Sequence, residues 1–228
     1  MKWLVRTVLG VVVLLVVADV GARLLVENLA GRALSSRRGF NGPVEVGLGG
    51  FPFLLHLKDR SFDSVTVEAR DVRSGGFSDA SVAQGTEVRV DSVRLDLRDV
   101  AVSGELWGDD PDREVAAAGG SGSAVIGQAS LNRLVPAHYD VRLTLLDGAV
   151  RVTGTAPGLA PAGEQTVEVP ADGVRPEGSD LVIEAPAPLG VLRIPIPVFV
   201  EGIELESAGV ARGRLDLTFA LRELRLSL

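Results

Sequence analysis

Apolar and polar residues alternate with a period of two along most of the chain, which predicts a protein built mainly of antiparallel β-strands. The alternation is clear at 44–48, 65–69 and 93–97, and it returns at 215–228. Asp147-Gly148 stands between two alternating runs, a strong signal for a β-hairpin. Because such strands follow one another at regular spacing, we expect no second globular domain.

Two irregularities interrupt this pattern. The phase of the alternation slips at Asp91-Ser92, which predicts a β-bulge at that point. The segment Gly104–Gly122 is rich in glycine and aspartate, so we expect a loop there.

The N-terminus follows a different pattern. Lys2 and Arg6 precede an uninterrupted apolar run, Val8–Ala18, as in a signal peptide or membrane anchor. The run is short for a spanning helix, which needs about 20 apolar residues. Positive charge before the run places the following domain outside the cytoplasm. We therefore expect residues 1–18 to direct export, either cleaved or kept as an anchor to the cytoplasmic membrane.

From Asp19 onward the period becomes helical. The residues at helical spacing on one face are Ala22, Leu25, Val26, Leu29 and Ala33. Asp19, Arg23 and Glu27 form a polar row with i, i+4 spacing on the other face. This pattern predicts a long amphipathic helix that ends near Gly39 or Gly42-Pro43. Its apolar stripe either simply packs on a sheet or, in addition, helps to line a lipid site.

Two apolar segments contain prolines: Gly50–Leu57 and Leu192–Val200. Proline cannot donate to a sheet ladder, so we expect these segments at sheet edges, bulges or first strand positions. Such segments either line the mouth of a cavity or plug the end of a β-rich shell with ordinary core residues.

Composition excludes several classes of function. The net charge of the 228 residues is −7 and no basic cluster lies beyond Arg37-Arg38, which argues against nucleic acid as a partner. The chain has no cysteines, which excludes disulfides, thiolate metal sites, a cysteine nucleophile and a lipid anchor on cysteine.

The sequence contains no motif for catalysis. His56 and His138 are the only histidines, and no zinc-binding helix, nucleophile elbow or phosphate loop is present. Carboxylates are spread over the alternating strands, where solvated faces account for them. We therefore expect that the protein is not an enzyme and holds no metal or cofactor. The weakest alternative is a hydrolase whose catalytic carboxylates lie far apart in the sequence.

Gly50-Phe51-Pro52-Phe53-Leu54 and the segment 194–203 together make the chain similar to the LmeA-like phospholipid-binding family of actinobacterial cell envelopes. The resemblance runs from about Asp19 to about Phe219. It implies an exported protein that binds phospholipid and has a tubular lipid-binding fold, in which a curved sheet wraps a long helix. It carries over no catalytic residue.

These observations together predict an α+β protein. We expect a single domain at 19–228, with a strongly curved antiparallel sheet wrapped around the long N-terminal amphipathic helix. The predicted function is non-covalent binding of phospholipid or a related envelope lipid in an apolar groove, at a membrane. The competing class is a structural or interaction protein of the envelope whose core is filled by its own side chains.

The candidate lipid-binding residues come from both proline-containing segments, where rigidity and apolar density coincide. Strand geometry should send only part of each segment inward, so not all can contact lipid. The candidates are Phe51, Phe53, Leu54, Leu55, Ile194, Ile196, Val198 and Phe199.

Overall fold

The computed structural model describes residues 2–35, 41–73, 89–104, 114–155, 164–187, 189–196 and 202–227. The helices are α1 (Lys2–Ser35), α2 (Phe53–Asp59) and α3 (Gln128–Leu134). Short 3₁₀ turns occupy Ala137–Tyr139 and Ala171–Gly173. The first strands are β1 (Val44–Gly49), β2 (Ser61–Arg73), β3 (Arg89–Ser103), β4 (Glu114–Gly127), β5 (Val141–Leu145) and β6 (Ala149–Gly154). The later strands are β7 (Gln165–Pro170), β8 (Val174–Glu177), β9 (Asp180–Glu184), β10 (Val191–Pro195), β11 (Ile203–Ala211) and β12 (Arg214–Ser227).

The largest element is a six-stranded antiparallel sheet in the order β1-β2-β3-β4-β12-β11. Its four central strands are 13 to 15 residues long, well above the usual five or six. Strands β5-β6-β7 and β10-β9-β8 form two smaller antiparallel sheets. Strand β8 lies against β11, so the β8–β10 sheet adjoins the edge of the large sheet opposite β1.

The hairpin predicted at Asp147-Gly148 is confirmed. It joins β5 and β6, and Gly148 takes the left-handed conformation at φ +75° that glycine tolerates best.

The loop predicted at Gly104–Gly122 is wrong over its second part, because β4 begins at Glu114. Residues 105–113 lie outside the described residues. Small residues serve close packing here rather than a turn. A Cβ atom at Gly122 would collide with the ring of Phe219 on the neighbouring strand β12, so glycine is what allows that ring to lie across β4.

The bulge predicted at Asp91-Ser92 is also wrong. The pairs Arg70–Ser92 and Val72–Val90 keep one register, so no residue is inserted. Instead Asp71, opposite Asp91, has a left-handed backbone with φ +53°. Aspartate tolerates this conformation better than most residues.

Left-handed residues within strands recur along the large sheet. Asp99 on β3 and Glu223 on β12 also have positive φ. The buried residues on either side of each position are three apart instead of two. They are Leu97 and Val100 on β3, and Leu221 and Leu224 on β12. A left-handed residue therefore switches the face that a strand buries without changing its register.

Helix α1 lies along the edge strand β1 and contacts α2. The predicted combination of an N-terminal helix with mostly antiparallel strands is confirmed. A single sheet wrapped around the helix is not what the structure shows, because the strands divide into three sheets and α1 packs at an edge. The approach to β1 is close: a Cβ atom at Gly31 would lie 2.7 Å from the carbonyl oxygen of Val44.

Helix α1 runs without a break through residue 18, so a separate signal or anchor segment is not shown. Within the described part of the chain, no helix has the length and apolar character needed to cross a membrane. The buried apolar residues of all three sheets form one contiguous cluster. The division of the chain at residue 18 stays a prediction.

Candidate functional site

Asp19 is a buried acid on α1 that holds a second helix in place. Its carboxylate accepts hydrogen bonds from the backbone N–H groups of Phe53 at 2.9 Å and Leu54 at 2.8 Å. These are the first N–H groups of α2, which have no partner within their own helix. Asp19 thus caps α2 from a distance in sequence, and its negative charge suits the positive end of the helix dipole.

Glu27 makes a similar connection two turns further along α1. Its carboxylate accepts hydrogen bonds from the backbone N–H of Leu48 on β1 and from Nε of Arg23, both at 2.8 Å. The predicted polar row on α1 is therefore not set apart from the packed side. Its two acids satisfy backbone donors of α2 and β1, whereas Leu25 and Leu29 of the predicted apolar stripe are exposed.

The segment around Pro52 forms a turn and a helix, not the strand edge that its proline suggested. Pro52 is the N-cap residue of α2 and has the extended backbone conformation typical of that position, with φ −74° and ψ 132°. The peptide bond from Phe51 to Pro52 is cis. Helix α2 ends at Asp59, and the left-handed backbone of the C-cap residue Arg60 (φ +54°) closes the last turn.

Phe53 is the anchor of α2. Its side chain is 0% exposed, and its ring lies 6.1 Å from that of Phe62 on β2. The apolar residues near Phe53 in the sequence face outward instead. Phe51 is 70% exposed, Leu54 42% and Leu55 56%.

An apolar groove of about 450 Å³ lies between α1 and the start of α2. Its walls are Leu15, Val16, Asp19, Phe51, Pro52, Leu54 and Leu55. Among these, Asp19 is the one polar residue, and both of its carboxylate oxygens already accept hydrogen bonds. The groove therefore offers hydrocarbon contact, and an occupant does not need a polar group to satisfy Asp19.

The eight candidate residues fall into distinct environments. Phe51, Leu54 and Leu55 line the groove, whereas Phe53 and Ile194 are fully buried and Ile196 is half-buried. Val198 and Phe199 lie outside the described residues. A lipid contact stays a prediction for each of the eight candidate residues.

The two proline-containing segments belong to different parts of the molecule. Ile194 lies on β10, in the sheet that adjoins β11, whereas α2 contacts α1 and β2, near the opposite edge of the large sheet. Complete burial of Ile194 fits the plug alternative for the second segment.

Sequence reasoning did not include Leu15, Val16 and Asp19 in the site. The signal was present in the sequence: the apolar run Val8–Ala18 leads into the amphipathic helix with no helix-breaking residue between them. The predicted boundary at residue 18 separated the apolar run from the amphipathic helix, although residues of both form one wall of the groove.

A charge network lies elsewhere, on the face of β2 and β3 predicted to be solvated. Nη1 of Arg94 donates to Glu68 at 2.6 Å, and its Nε donates to Asp96 at 2.9 Å. The hydrogen bond from Arg94 holds the pKa of the Asp96 carboxyl below its usual value, assisted by a hydrogen bond from Thr66. The network is exposed and separate from the groove.

The histidines take ordinary structural roles. Nδ1 of His56 lies 2.8 Å from the carbonyl oxygen of Ser61, and the ring of His138 lies 4.2 Å from that of Tyr139. Among the described residues, no group of three histidine, aspartate or glutamate side chains is arranged to hold a metal ion.

A mostly antiparallel β-structure with an apolar groove at its helical edge is the architecture of a protein that can hold a hydrophobic ligand. The chain belongs to the LmeA-like phospholipid-binding family, whose family model matches residues 17–220. The resemblance seen in the sequence is thereby confirmed. No curated protein and no solved structure matches the chain.

Proposed function

We propose that the protein is an exported component of the cell envelope that binds phospholipid, or a related envelope lipid, in the groove between α1 and α2. Membership in a phospholipid-binding family supports lipid as the ligand. The observation that carries the location is the groove itself, with Leu15, Val16, Phe51, Pro52, Leu54 and Leu55 around one satisfied acid.

The physical chemistry suits an acyl chain. The groove's size lies within the roughly 300–1,000 Å³ typical of small-molecule sites. Each methylene that leaves water contributes up to ~0.8 kcal/mol, so hydrocarbon walls suffice for affinity. Binding of this kind requires no nucleophile, metal or cofactor, and we propose that the protein acts by binding without catalysis.

Export is the second part of the proposal, with residues 1–18 kept as an anchor and not cleaved, because Leu15 and Val16 are walls of the groove. It rests on Lys2 and Arg6 before the run Val8–Ala18. An envelope location would place the groove in a compartment where membrane lipid is its most abundant apolar ligand.

One experiment tests both parts: the full chain is expressed in a bacterium, the cells are fractionated, and the purified protein is extracted with organic solvent. We expect the protein in the envelope fraction, with phospholipid in the extract. The Leu54→Asp variant should lose that lipid, because an unpaired carboxylate is costly in an apolar groove. Val191→Asp, at an exposed apolar residue of β10, is the matched control and should keep it.

Two results would contradict the proposal. Folded protein in the cytosol would rule out export. An empty extract from the unaltered protein would favour the competing class, a structural protein whose core is filled by its own side chains.

A further inference from the structure

We propose that the protein docks into a phospholipid bilayer through one continuous apolar surface, here called the docking surface, formed by Leu14–Val17 of α1 with Phe51, Leu54 and Leu55. Docking in this orientation would open the groove directly toward the hydrocarbon of the bilayer. A lipid could then enter sideways, without crossing water. The proposal rests on lipid binding as the function of the groove, and it adds an orientation at the membrane and the α2 residues that enter the bilayer.

The exposure of α1 identifies a bilayer as the partner. The four residues Leu14–Val17 are between 41% and 69% exposed, and Ala18 after them is also exposed. Successive residues of an α-helix are rotated by about 100°, so these five positions cover the full circumference. A protein partner covers a stripe of a helix, whereas a bilayer can surround it.

The apolar residues of α2 extend this surface sideways. Leu54 and Leu55 are exposed although α2 is held firmly by buried Phe53 and by the carboxylate of Asp19. Their exposure is therefore a feature of the packed structure and not of a loose segment. Together with Phe51 they form a contiguous apolar patch, the kind of surface that marks interaction sites.

The charges around the patch suit the level of lipid headgroups. Lys58 is exposed one turn after Leu54, so its methylene stem can lie on apolar surface while its ammonium reaches lipid phosphate. Asp59 beside it is exposed as well, which leaves little net charge. We therefore expect docking to depend on apolar insertion and to change little with salt.

The absence of cysteine from the chain makes the test specific. Single-cysteine variants Phe51→Cys, Leu55→Cys and Val191→Cys of the full chain each carry one environment-sensitive fluorophore. The proteins are mixed with vesicles of phosphatidylglycerol and phosphatidylethanolamine, and quenching by spin-labelled lipid is measured. Val191 is the matched control, because it is exposed and apolar but lies on β10. Unchanged circular dichroism confirms folding.

We expect the fluorophores at 51 and 55 to shift to shorter emission wavelengths and to be quenched by lipid, while the fluorophore at 191 stays aqueous. Aqueous fluorophores at 51 and 55 on vesicle-bound protein would overturn the proposal. A wavelength shift without quenching by lipid would mean that a second copy covers the surface, and it would overturn the bilayer as partner.

Failure of docking and failure of lipid binding give different results. Lipid in the solvent extract together with aqueous fluorophores overturns docking alone. Inserted fluorophores with an empty extract support docking and count against the groove as a lipid site.

Discussion

Phe51 and Phe53 stand two positions apart in the sequence and have opposite environments. Phe53 is a core residue packed on Phe62, whereas Phe51 projects from the turn and lines the groove. The sequence marked both as candidate lipid contacts, because both are aromatic and both flank Pro52. Periodicity could not separate them: residues two apart share a face on a strand, but here the backbone turns at Pro52 and enters a helix.

Alanine substitution should separate the two phenylalanines. Phe53→Ala leaves a cavity in the core and should lower the free energy of unfolding by about 3–5 kcal/mol. Phe51→Ala removes an exposed ring, so stability should change by less than about 0.5 kcal/mol. Lipid binding by Phe51→Ala should nevertheless weaken roughly tenfold, equivalent to about 1.4 kcal/mol.

Denaturant unfolding and titration with a fluorescent phospholipid measure the two quantities on the same samples. If Phe51→Ala destabilises the protein as much as Phe53→Ala, and lipid binding falls only with the folded fraction, the first proline-containing segment is a plug.

At the scale of elements, α1 joins a wall of the groove to the large sheet. Asp19 and Glu27 satisfy backbone donors of α2 and β1, and Gly31 permits close contact with β1. Length and helical period could be predicted from the sequence. The side of α1 that faces the protein could not, because that side is set by unpaired N–H groups on other elements, which a hydrophobicity pattern does not record.

Two glycines of α1 provide a matched test of this packing. A Cβ atom at Gly21 meets nothing within 4 Å, whereas one at Gly31 would lie 2.7 Å from the carbonyl oxygen of Val44. Gly21→Ala should stabilise the protein by up to ~1 kcal/mol through helix propensity. Gly31→Ala should destabilise it by about 1–3 kcal/mol, because α1 must move away from β1.

Thermal unfolding of the two variants measures the difference. Equal stabilisation by both substitutions would show that α1 does not rest closely on β1, and the groove would then lack a fixed wall.

At the scale of the whole molecule, composition and alternation were sufficient to predict an antiparallel β-rich chain with an N-terminal helix. They were insufficient for the division into three sheets.

At Asp71, Asp99 and Glu223 the strands keep their register but switch the buried face through a left-handed residue. In sequence such a switch looks the same as a bulge, since both appear as a slip in phase.

The candidate lipid site was also predictable only in part. Apolar density around Pro52 led to three of the residues that line the groove, Phe51, Leu54 and Leu55. The second segment has equal apolar density, but Ile194 is buried in the β8–β10 sheet. Density alone does not distinguish a groove wall from a core, because both are apolar and differ only in what packs against them.

The central claim is that an acyl chain lies in the groove between α1 and α2. Cross-linking with a phospholipid that carries a photoreactive acyl chain, followed by peptide mapping, tests it most directly. The account predicts cross-links within residues 14–20 and 51–55. Cross-links concentrated on β10 or elsewhere in the small sheets, with none at those two segments, would contradict it.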